Sequence, residues 1–101
     1  MMATYIETKL QNEDCILFFR LGDFYEMFFD DALKASKLLD LTLTGKDCGM
    51  DTRAPMCGIP YHAAEQYIAK LVSVGEKVAV CEQLDAPQKG KLVDRGIVRI
   101  V

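Results

Sequence analysis

No run of apolar residues in this chain approaches the roughly 20 that a membrane-crossing helix needs. Its N-terminus, "MMATYIETKL", lacks the basic segment and apolar block of a secretory signal. A cytosolic setting is the default expectation. There is no C-x-x-C pair: Cys15, Cys48, Cys57 and Cys81 are scattered. Two of them sit in the apolar runs "CILFF" and "VAVCEQ", where cysteine behaves as a small buried hydrophobe. A zinc site would have to draw on Cys48, Cys57 and His62, whose spacing fits no usual ligand pattern. Neither G-x-x-x-x-G-K-[ST] nor G-x-G-x-x-G is present, and "TGKD" lacks the upstream glycine of a phosphate cradle. The sole histidine, His62, stands just before a helical pattern and reads as a local hydrogen-bonding group. A Cys57–His62 nucleophile pair has nothing to orient its base, so no enzymatic activity is expected of these residues. An excess of basic charge is missing too. The formal net charge of −3 argues against an autonomous nucleic-acid binder.

What is present is half apolar and 27% charged, with only three prolines, which describes a folded globule of 101 residues and one modest core. Met2, Tyr5, Ile6 and Leu10 recur at helical spacing. "CILFFR" (15–20) is short and dense enough for a buried strand. Leu21-Gly22-Asp23 supplies a tight hairpin turn, and "FYEMFF" then alternates as a second strand. Asp30 and Asp31 read as the acidic first turn of a helix ending near Asp40, with Phe28, Ala32, Ala35 and Leu39 as its stripe. "LTLTGKD" alternates as a strand running into a loop. Residues 45–60, with three glycines and two prolines, read as a long surface loop. "YHAAEQYIAKLVSVG" carries a helical stripe of Ala64, Tyr67, Ile68, Leu71 and Val72, stopped by Gly75. "KVAVCEQ" (77–83) is a strand, "LDAPQKGKLVDR" a polar connection, and "GIVRIV" (96–101) a last strand. Ending on an apolar strand suggests a piece of a longer protein. The expected fold is α+β: a mixed sheet of about five to six strands with about three main helices packed on it.

One spacing resists a purely structural reading. In a strand, Phe24, Glu26 and Phe28 share one face while Tyr25, Met27 and Phe29 share the other. If Phe24 points inward, Glu26 is buried with it at a cost. If Glu26 meets solvent, so does the ring, directly beside a turn. An exposed ring next to a hydrogen-bonding carboxylate suits a flat ligand with polar edges, and nucleobases have that shape.

These residues belong to longer motifs. "FFRLGDFYEMFFDDA", "KLLDLTLT", "PMCGIPYHAAEQYIAKLV", "GEKVAVCEQ" and "VDRGIVRIV" together resemble the N-terminal mismatch-recognition domain, domain I, of the MutS DNA mismatch-repair family. The resemblance covers essentially the whole chain in order. Family members with meiotic or recombination roles lack the Phe-x-Glu pair, which this chain carries. The resemblance implies that Phe24 enters DNA from the minor groove and stacks on a mispaired or unpaired base while Glu26 hydrogen-bonds to it. A wedge of this kind unstacks a base step and kinks the duplex, and a mismatched step yields more cheaply. Met56, beside Pro55, would add an apolar contact, and Lys46 would meet phosphate.

The resemblance further implies connector, clamp and ATPase domains outside this chain. ATP and magnesium would be used there, with no cofactor in this domain. It implies dimerisation, a MutL-type repair partner, mismatched double-stranded DNA as ligand, no membrane association, and residence in the bacterial cytosol near the nucleoid. The net negative charge is then intelligible, because other domains of a dimer would hold the DNA backbone. The isolated 101-residue chain is accordingly expected to bind mismatched duplex weakly or not at all at physiological salt, and submicromolar binding by titration would contradict that. Two alternatives stand beside this reading. One is a protein-interaction module of a MutS homologue that does not read mismatches, favoured by a buried Phe24. The other is a small thiol enzyme using Cys57 and His62, which needs the two in contact and a lowered thiol pKa.

Overall fold

The computed structural model describes residues 2–47, 53–83 and 95–101. Along them run α1 (Met2–Leu10), β1 (Cys15–Leu21), β2 (Phe24–Phe28), α2 (Phe29–Leu38), β3 (Thr44–Lys46) and β4 (Ala54–Pro60). A single 3-10 turn (Tyr61–Ala63), α3 (Ala64–Ser73), β5 (Lys77–Gln83) and β6 (Arg95–Ile100) complete the fold. The strands form one sheet in the order β3-β4-β2-β1-β5-β6. Among the described residues only the β1–β5 pair is parallel. This is the α+β architecture expected, with six strands and three helices.

The centre of the sheet explains the unbroken "CILFF". Ile16 and Phe18 face one side, in a core with Ala32 and Ala35 of α2 and Ile68 and Leu71 of α3. Cys15, Leu17 and Phe19 face the other, in a second core with Tyr5 of α1. A strand covered on both faces reads as a continuous apolar run rather than an alternating one. Tyr5 is the centre of the second core. Its ring meets Phe19 and Phe28 edge-on, with centroids 5.5 and 4.8 Å apart. Its hydroxyl donates to the Phe28 carbonyl at 3.2 Å and accepts from the Phe28 N–H at 3.4 Å. Burial holds that hydroxyl well above the usual tyrosine range.

Several expectations are corrected. Residues 45–60 are not one long loop: Gly45 and Lys46 lie in β3, and Ala54–Pro60 is β4, paired to both β2 and β3. Prolines bracket this strand because Pro60 closes it, while Pro55 lies next to the three-residue edge strand β3. The strand expected across "LTLTGKD" is confined to Thr44–Lys46. Phe29 does not continue β2. It begins α2 with a positive φ of 55°, breaking the alternation after Phe28. Phe28 therefore packs in the Tyr5 core, apart from Ala32, Ala35 and Leu39. On α1 only Tyr5 is fully buried, and Ile6 and Leu10 are exposed; on α3 Val72 is exposed. The polar connection 84–94 lies outside the described residues.

Asp31 is corrected in kind as well as in place. It makes no helix cap; it is buried and accepts from the Leu17 N–H and from Lys9 Nζ, each at 3.0 Å. The same ammonium donates to the Cys15 carbonyl. One lysine thus ties α1 to β1 and α2, and this fixes how far α1 reaches over the sheet.

Candidate nucleic-acid interface

β2 enters from a two-residue turn in which Gly22 takes a positive φ of 61° at the first central position, where a hairpin of this length favours glycine. The turn is held from outside. The Tyr61 N–H donates to the Asp23 carbonyl at 2.8 Å, and Arg20 donates to the Gly22 carbonyl. The Arg20 guanidinium lies 4.1 Å from the Tyr61 ring centroid and 3.1 Å from Glu82. Glu82 also accepts from the Tyr25 hydroxyl. Burial, with the nearby Glu82 carboxylate, pushes that hydroxyl up to about 12. Phe24 therefore projects from a braced turn.

Along β2 the alternation is as expected, but the face changes character from one end to the other. Phe24 is 47% exposed, Glu26 is partly buried, and Phe28 is fully buried. The reason is the short reach of α1: nine residues span about 14 Å at 1.5 Å each. The helix covers Phe28 and leaves the turn end of this face open. The apparent conflict between ring and carboxylate is resolved by Lys46, whose Nζ sits 3.0 Å from Glu26 Oε1. Glu26 is partly desolvated and paired.

The neighbouring strands complete the floor. In register, Phe24 stands opposite Pro60, Glu26 opposite Gly58, and Phe28 opposite Met56. Met56 in turn stands opposite Thr44, and Lys46 opposite Ala54. Directly opposed residues of antiparallel strands share a face. Phe24, Glu26, Met56 and Lys46, the residues singled out from the sequence, are thus brought to one side of the sheet. An open groove of about 290 Å³ lies there, lined by Phe24, Glu26, Thr42, Thr44, Met56, Cys57 and Gly58. Lys46 is not a solvated loop side chain: it is strand-borne and two-thirds covered.

Gly58 is a site residue the sequence reading passed over. A Cβ there would stand 3.3 Å from the Tyr25 carbonyl oxygen, 3.6 Å from Glu26 Cγ and 4.0 Å from the Phe24 ring. Its absence keeps the floor low where ring and carboxylate meet. A glycine inside a strand pattern is the signal, since it marks close approach. Thr42 and Thr44 were missed for want of a comparable signal.

Cys57 and His62 do not form a pair. Cys57 lies on the covered face of β4, its Sγ 3.7 Å from the Ala32 carbonyl oxygen, whereas His62 is exposed in the 3-10 turn. Burial, with the nearby Asp31 carboxylate, pushes the Cys57 thiol up to about 11, the opposite of what a nucleophile requires. Among the described residues no three histidine, cysteine or acidic side chains gather to hold a metal ion, and Cys48 lies outside them. No helix among those residues is long and apolar enough to cross a membrane.

Fold and groove together define a six-stranded α+β domain with one sheet face left partly uncovered beside a hairpin turn. The family model for MutS domain I matches residues 1–101, the full chain. The chain is 66% identical over its whole length to a DNA mismatch repair protein MutS of Lachnoclostridium phytofermentans, and 64% identical to proteins of that name from Clostridium botulinum and Acetivibrio thermocellus. It covers 11%, 11% and 12% of those three proteins respectively. The chain belongs to the MutS domain I family.

Proposed function

We propose that this chain is the mismatch-sensing domain of a longer DNA-repair protein, and that Phe24 stacks on a mispaired or unpaired base from the minor groove while Glu26 hydrogen-bonds to that base. The observation that carries the reading is the 47% exposure of Phe24 on the face it shares with Glu26, at the rim of an open groove. A ring held this way by a braced turn is preorganised, so little ordering is lost on contact. Stacking on a base is tolerant of sequence, whereas the cost of opening a base step depends on how well that step is paired. Selectivity then reads deformability. Met56 supplies a second apolar surface in the groove.

The remainder of the protein would supply backbone contacts through a dimer, an ATPase using ATP and magnesium, and docking for a MutL-type partner, all in the bacterial cytosol. The net charge of −3 accords with that division, since the domain by itself has no surplus of cations for phosphates. The test is Glu26→Gln in the full-length protein, titrated at fixed salt on a duplex carrying one mispair and on its matched counterpart. Binding to the matched duplex is expected to tighten more than binding to the mispaired one, narrowing selectivity. Equal weakening on both would make Glu26 an ordinary contact and overturn its role as discriminator.

A further inference from the structure

The Lys46–Glu26 pair crosses a whole strand. Lys46 belongs to β3 and Glu26 to β2, with β4 between them, yet Nζ and Oε1 are 3.0 Å apart. The positions opposite them on β4 are Ala54 and Gly58, both small, with Met56 between them on the same face, so the pair spans the strand diagonally across Met56. The ammonium also lies 5.6 Å from the Phe28 ring centroid, close enough for a cation–π contribution. Both ends are partly covered, with 33% of the Lys46 side chain and 18% of the Glu26 side chain exposed. The cation best placed to meet phosphate beside the groove is therefore engaged by the very carboxylate assigned to the base.

We infer that Lys46 is a specificity-determining residue: Glu26 holds it back in the free protein and on matched DNA, and a mispaired base that donates to Glu26 releases it to a phosphate. The inference rests on the reading given above. A partly exposed ion pair is weak, so releasing Lys46 costs a factor of up to about five. A phosphate oxygen replaces the carboxylate oxygen as its partner with similar geometry. In a matched, fully stacked step the ring is not inserted and no base is brought to Glu26, so the pair persists there and one phosphate contact goes unmade. Mispair recognition and backbone grip become one exchange of partners.

This separates two reasons why removing Glu26 would tighten binding to ordinary duplex. One is relief of repulsion between carboxylate and phosphates. The other is liberation of Lys46. Full-length protein as wild type, Glu26→Ala, Lys46→Met and the double variant distinguishes them on matched duplex across a salt series; Lys46→Met keeps the aliphatic stem over Phe28 and removes the charge. Glu26→Ala is expected to tighten matched binding roughly three- to tenfold and to steepen the dependence of log K on log salt by about 0.9, the signature of one added phosphate contact. Lys46→Met alone is expected to change matched binding by less than about twofold, and the double variant to lose both the tightening and the added slope. Tightening that survives in the double variant, or no tightening in Glu26→Ala, overturns the inference. The mismatch reading fails on different data: a mispair-to-match ratio left unchanged by Phe24→Ala.

Discussion

Phe24→Ala in the full-length protein is expected to lower affinity for a mispaired duplex by roughly 5- to 150-fold, the worth of one base–aromatic stack, and to leave matched duplex within about twofold. The asymmetry follows from where the ring sits. Phe24 is half exposed at the end of a sheet face and contributes to neither buried core, so its removal does not loosen the fold. On matched DNA, driving a ring between paired and stacked steps costs a few kcal/mol, so the wedge is little used there. At a mispair much of that cost is already met by the poor pairing, and the proposed stack would be realised. Equilibrium titrations of both duplexes at one salt concentration measure the effect, since affinities at different salt cannot be compared. An equal loss on both duplexes would mean that the ring serves general attachment.

The largest expected loss of stability lies away from the groove, at Asp31. This carboxylate is 7% exposed and accepts from Lys9 Nζ and the Leu17 N–H, each at 3.0 Å. Asp31→Ala removes the acceptor of the Leu17 N–H on β1 and leaves the Lys9 ammonium without its counter-charge, with only backbone carbonyls as partners. Breaking a buried charge pair from one side costs about 3–5 kcal/mol. Because a quarter of the Lys9 side chain still reaches solvent, the lower end, about 3 kcal/mol, is expected here. For a domain of this size that lowers the unfolding midpoint by roughly 12–24 °C, read by circular dichroism on the 101-residue chain. Asp31→Asn keeps an acceptor for Leu17 and should recover part of the loss. A shift of only a few degrees for Asp31→Ala would show that Lys9 is satisfied by the Cys15 and Glu13 carbonyls it also approaches. The site depends on the same anchor, because α1 sets the boundary between covered Phe28 and uncovered Phe24.

Much of this was legible from residue order because local pattern and tertiary environment agree along most elements. "CILFF" and "VAVC" are apolar throughout, since β1 and β5 are the parallel pair with cores on both sides. Gly22 and Gly75 mark a turn and a helix end, each with positive φ. β4 was missed for a physical reason. "APMCGIP" has two prolines and a glycine, which normally break strands, but here Pro60 terminates one and Gly58 makes room for Phe24 and Glu26. Its outward face serves the groove, so its composition reflects space rather than strand propensity. Asp31 was misread because acids beside a helix start usually cap it, and nothing local distinguishes a carboxylate recruited by a lysine 22 residues earlier. Lys46 and Glu26 were each picked out singly. Their contact depends on the register of three strands, which spacing along the chain does not reveal.

Photocrosslinking from position 24 tests the assignment of Phe24 most directly. With Phe24 replaced by p-benzoylphenylalanine in the full-length protein, the ring itself reports the nucleotide it touches. Irradiated on a duplex carrying one mispair, it is expected to attach to the mispaired base or its immediate neighbour, and to attach far less, at no preferred position, on matched duplex. Attachment spread evenly along both duplexes, or to protein alone, would contradict the role given to Phe24.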